Sequence, residues 1–137
     1  MRKKLRISKS LNLSADKIAL LSDFCEFCIN KIPISGDVFI EVVSDRKSHN
    51  IETTAYYSIV EGRVCIYGKN RALVDVCRSI AHELTHMMQD ETGLINGPVQ
   101  NIGGFHENQA NSKAGALIKS FAKSHPFGKM IYERKIV

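Results

Sequence analysis

A chain of 137 residues, 44% hydrophobic and 24% charged, has the balance of one ordinary globular domain and leaves no room for a second catalytic domain. No uninterrupted apolar run approaches the roughly 20 residues of a membrane helix, and the basic N-terminus lacks the apolar core of a signal peptide, so a cytoplasmic protein without a membrane partner is expected. The net charge of +5 gathers in a basic lead (residues 1–13, with Arg2, Lys3, Lys4, Arg6 and Lys9) and a basic tail (residues 125–137, with Lys129, Arg134 and Lys135), which keeps nucleic acid open as a partner through the termini.

After the lead, Ser14 is placed to cap a helix with Asp16 in its first turn. Ile18, Leu21, Phe24, Cys25, Cys28 and Ile32 recur at three- or four-residue spacing, which predicts a helix over about 15–31, closed by Pro33 and Gly36. Cys25 and Cys28 have the spacing of half a zinc site or of a redox pair, but Cys65 and Cys77 are twelve residues apart and make no second pair. All four are expected to be reduced and to fill core positions as small hydrophobes.

From Asp37 the period changes to two. Val38, Ile40 and Val42 point one way and Phe39, Glu41 and Val43 the other, which predicts a strand. Thr53–Val60 and Arg63–Gly68 read as β-rich runs that meet in a tight hairpin at Glu61-Gly62. The helical period returns over 72–90, with Leu73, Val76, Cys77, Ile80, Leu84 and Met87 on one stripe. Gly93, Gly97, Pro98, Gly103 and Gly104 mark an irregular loop, and a last helix of about 107–123 carries Ala110, Ala114, Leu117, Ile118 and Phe121. No repeat, low-complexity segment or dividing linker interrupts this order, so residues 1–137 read as one α+β domain. In it, helices cover one face of a small, mainly antiparallel sheet.

The chemistry lies in His82-Glu83-Leu84-Thr85-His86. On a helix, histidines four residues apart share a face, and both imidazoles reach one metal. Zinc suits two neutral imidazoles and a carboxylate, with a fourth position left for water whose pKa falls towards about 7, and Glu83 is then the base that takes the water's proton. The third ligand lies farther along. Gln89 and Thr92 stand where metzincins carry a glycine and a histidine, which excludes that branch and leaves His106 and Glu107. Asn111, one turn after Glu107, is positioned to accept a hydrogen bond from a ligating imidazole. A donor for the tetrahedral intermediate is sought among His106, His125, Tyr132, Tyr56 and Tyr57, with His106 preferred for its place beside Glu107.

The segment HELTHMMQ followed by ENQAN resembles the H-E-x-x-H and E-x-x-A-(N/D) pattern of gluzincin-type minimal metallopeptidases, including the ImmA/IrrE-like group common in phages and mobile elements. The resemblance covers about residues 60–122. It implies a zincin-like fold, zinc held by His82, His86 and Glu107, Glu83 as catalytic base, and hydrolysis of a protein or peptide substrate. Asn111 stands where many gluzincins have an aspartate. Helix geometry points the same way: neighbouring side chains diverge by about 100°, so His106 and Glu107 do not both face one metal. Glu107 shares its face with the small Ala110 and Ala114, which let two helices approach closely. Two further readings stay open: a nucleic-acid-associated protease like the SprT-like proteases, which the arrangement also resembles, and a zincin-fold binding protein with little hydrolytic activity.

Overall fold

The computed structural model describes residues 3–47, 54–93 and 105–133. The elements run β1 (Lys3–Ile7), α1 (Ala15–Lys31), β2 (Val38–Val43), β3 (Ala55–Ser58), β4 (Arg63–Tyr67), α2 (Leu73–Glu91) and α3 (Phe105–Ser124), with short 3-10 turns at Lys9–Leu11 and Gly128–Tyr132. The architecture is mixed α/β.

Helix α1 begins and ends where its sequence dictates. The Ser14 hydroxyl accepts the Lys17 N–H at 3.3 Å, and Ile32 leaves the helical region at φ −101°, ψ 123°, as the residue before a proline must. The hairpin also follows its sequence: Ser58 pairs with Arg63, and Gly62 takes φ 62°. A side chain at Gly62 would also press on the Asp37 carbonyl at 3.0 Å, so the turn needs glycine twice over.

Two expectations are corrected. The sheet is not mainly antiparallel: its order is β1-β2-β4-β3, with β1–β2 and β2–β4 parallel and only β3–β4 antiparallel. The helical crossover α1 makes the first parallel pair, because a connection of that length returns the chain to the same end of the sheet. The basic lead is not a simple tail, since Lys3–Ile7 form strand β1. Leu5 and Ile7 turn towards the helices while Lys4 and Arg6 face out, and Lys3 on the inner side is satisfied by the Ser22 carbonyl at 3.1 Å and hydroxyl at 2.9 Å. The basic tail is likewise partly folded. Ile131 is fully buried, and a side chain at Gly128 would collide with the Phe121 carbonyl at 2.6 Å, so glycine lets this turn dock on α3.

One face of the sheet, with Val38, Ile40, Val42, Val64 and Ile66, packs against the apolar sides of all three helices. Phe24 of α1 meets Phe121 of α3 edge to face at 5.2 Å, which ties the helices across the sheet. All four cysteines are buried and unbonded, as expected of core fillers, and burial pushes the Cys25 thiol up to about 12. Gly97, Pro98, Gly103 and Gly104 of the expected loop lie outside the described residues.

Candidate metal centre

Helix α2 is two-sided. Leu73, Val76, Cys77, Ile80 and Leu84 are buried in the core, and the remaining side carries His82 and Glu83 towards α3 and strand β3. Ala110 and Ala114 on α3 are fully buried, so the two helices approach closely enough for a short carboxylate to cross between them. Glu107 makes that crossing. Its Oε1 lies 2.9 Å from His82 Nε2 and its Oε2 lies 2.9 Å from His86 Nε2, while the two Nε2 atoms are 3.1 Å apart.

The orientation of His86 follows from Gln89, which is fully buried. The Gln89 Nε2 donates to the His106 carbonyl at 3.0 Å and to Gln109 Oε1 at 2.6 Å, and this fixes which way the amide points. Its Oε1 therefore faces His86 and accepts the Nδ1–H at 2.8 Å. With that proton on Nδ1, it is Nε2 that the ring turns towards Glu107 and His82. Asn111, one turn after Glu107, lies near enough to the His82 imidazole to favour its protonated form.

Lone-pair atoms from His82, His86 and Glu107 thus converge within 4.8 Å of one another, and among the described residues this is the group suited to hold a metal ion. At 2.9 Å each imidazole hydrogen-bonds the carboxylate when its Nε2 carries a proton, and the same atoms are placed to take a cation between them when it does not. A tetrahedral zinc site with bonds of about 2.0 Å spaces its ligand atoms by about 3.3 Å, within a few tenths of an ångström of the separations here. Burial, the largest influence, lowers the His82 pKa and favours the neutral ring that a metal requires. Two imidazoles and a carboxylate are a donor set that zinc fits.

The surroundings sort the remaining candidates. Glu83 is raised to about 7, first by burial and then by the negative charge of Glu107. Tyr57 of β3 comes to the site: its ring stacks on His86 at 6.0 Å, and its hydroxyl donates to Asp90 at 3.3 Å. Burial, then the charges of Asp90 and Glu83, push that hydroxyl up to about 12, so it stays a donor. His106 is a different case. It gives its carbonyl to Gln89, its ring lies against Phe105 at 5.4 Å, and its Nδ1 is buried without a partner. It stands outside the converging group. The other donor candidates are engaged elsewhere: His125 bonds Asp23 at 2.8 Å, Tyr132 is exposed, and Tyr56 packs on the opposite face of the sheet with Cys65.

Gln89 is the residue whose role sequence reasoning missed. Its signal was present in the spacing, because a residue three after His86 lies on the same helical face. The chain matches no protein-family model, no curated protein and no solved structure.

Proposed function

We propose that this protein is a zinc-dependent metallopeptidase with a zincin-like arrangement, in which His82, His86 and Glu107 hold the ion and Glu83 is the general base. The observation that carries the reading is the convergence of acceptor atoms from two helices, with the Gln89 amide turning His86 Nε2 inwards. A salt-bridge cluster would need only one histidine facing the carboxylate. A buried amide network that fixes an imidazole tautomer is what metal ligation requires.

Zinc, when bound, would acidify a water and polarise the scissile carbonyl. Glu83 would accept the proton released as water adds to the scissile carbonyl carbon. It returns the proton to the amide nitrogen as the C–N bond breaks, so water is consumed and an acid and an amine are released. Gln89 keeps the His86 imidazole oriented throughout. Tyr57 stacks its ring on His86 and gives its one hydroxyl proton to Asp90, so it forms a wall of the site beside the ligating imidazole.

The test is cleavage of a peptide library by the zinc-loaded protein beside its Glu83→Gln variant. Glu83→Gln is expected to retain the fold and the zinc and to lose at least about a hundredfold in hydrolysis, the scale of general-base catalysis. Full activity in that variant would remove Glu83 from the mechanism.

A further inference from the structure

The side of the sheet opposite the metal centre carries a separate chemistry. Strand alternation brings Lys4, Arg6, Phe39, Glu41, Val43, Arg63, Cys65 and Tyr67 to this face, with Tyr56 from the edge strand β3. The apolar residues of the helices pack on the other face, and among the described residues the buried cluster here is made of strand residues alone. Nothing described covers the face.

Its residues interleave cations with half-buried rings. Phe39, on a central strand, is flanked in register by Lys4 and Arg63, and each cation lies 5.7 Å from the ring centre. The Arg46 guanidinium lies 4.4 Å from the centre of the Tyr67 ring. The Arg6 side chain is 73% exposed. The acid within the face, Glu41, is buried and engaged by Arg63, with Arg6 at 4.0 Å; Glu61 sits at the hairpin turn. The outward charge is therefore positive in excess, among aromatic rings and guanidinium groups.

We propose that this open sheet face binds single-stranded nucleic acid, with bases stacking against the ring and guanidinium layers at Phe39 and Tyr67 and with phosphates held by Lys4, Arg6 and Arg46. Unpaired bases offer π-faces to such rings, whereas a duplex hides them in its own stack. The excess of outward cations over Glu41, Asp45 and Glu61 favours a polyanion. Beyond Arg6, the track continues past β1 to Lys9, beside a cleft at the carboxyl ends of β1 and β2 whose Ser8, Ser10 and Ser44 hydroxyls form a cluster with contacts of 2.5 and 2.8 Å. The strand register sets the spacing of rings and charges on this surface.

The experiment is fluorescence anisotropy of labelled single-stranded and duplex oligonucleotides of equal length with the intact protein, repeated over a salt series. The chain has no tryptophan and four tyrosines, so loss of the quenching of tyrosine emission in Tyr67→Phe reads base stacking at that ring. Single strands are expected to bind more tightly than duplex and to quench tyrosine, with affinity falling steeply as salt rises. Phe39→Ala should weaken binding at least about fivefold, and Lys4→Gln with Arg46→Gln should flatten the salt dependence by about two phosphate contacts. The latter pair alters exposed side chains, so it reports even if Phe39→Ala does not fold. Glu83→Gln should bind as tightly as the parent, which separates this surface from the peptidase reading. Three results would overturn the proposal: equal affinity for duplex, loss of binding on Arg134→Gln with Lys135→Gln but not on the sheet-face variants, or binding to anionic vesicles or an acidic peptide but not to oligonucleotides.

Discussion

The chain builds two helical pairs of metal-capable side chains, each with a third such residue on a neighbouring helix, and only one of them is arranged as a site. Cys25 and Cys28 lie one turn apart on α1, near Cys77 of α2; His82 and His86 lie one turn apart on α2, against Glu107 of α3. The cysteines are sealed in an apolar core, where burial raises all three thiols and holds them protonated. The histidines border Glu83, Gln89, Asn111 and Tyr57, and the Gln89 amide orients the His86 ring. Residue type and helical spacing are shared by the two groups. The neighbours that fix protonation and direction set them apart.

The largest expected effect concerns the ion itself. His82→Ala or His86→Ala should abolish stoichiometric zinc binding and, with it, the rise in thermal midpoint that zinc gives the parent protein. That rise corresponds to about 4 kcal/mol at a thousandfold excess over Kd. Cys25→Ser with Cys28→Ser should leave zinc stoichiometry untouched, and a drop there would dissolve the contrast between the two groups.

Next is the amide network. Gln89→Leu removes the acceptor for His86 Nδ1–H and should weaken zinc affinity about 10–100-fold, measured by competition with a chelator. Unchanged affinity would mean that the ring is held by packing alone. The Cys25→Ser change should itself cost about 1–3 kcal/mol in a denaturant melt, because a hydroxyl in that pocket is desolvated without a sure partner.

The last effect is a pH slope at alkaline pH. Cys25 has a folded pKa of about 12, above its ordinary value of 9.0. Above pH 9 the unfolded chain releases this proton and the folded chain keeps it, so the thiol's contribution is intact below 9 and is lost as pH rises towards 12. Stability should decline over that window, less so in Cys25→Ala, and a thiol reagent should react with the native protein only as fast as it opens. Prompt reaction of Cys25 at pH 8 would show a thiolate where burial predicts a thiol.

How much of this was legible depended on range. Ser14, Pro33, the Glu61-Gly62 turn and the apolar stripe of α2 are local signals, and the elements stand close to where those signals put them. Strand β1 was hidden because only Leu5 and Ile7 alternate with a dense run of bases. Parallel pairing was also out of reach, since alternation gives a strand its faces but not the direction of its neighbours. Within the site, the spacing of His82, Glu83 and His86 and the small residues after Glu107 were enough to bring three donors together. The role of Gln89 depends on Gln109 and the His106 carbonyl, across a loop that the sequence does not place. Tyr57 reaches His86 only through the position of β3 at the sheet edge.

The most direct test of the central claim is zinc stoichiometry measured side by side in the parent protein, Glu107→Gln and His106→Ala, with a chelator holding free zinc low. The account predicts one ion per chain in the parent and in His106→Ala and its loss in Glu107→Gln. Loss in His106→Ala with retention in Glu107→Gln, or no zinc in the parent, would contradict it.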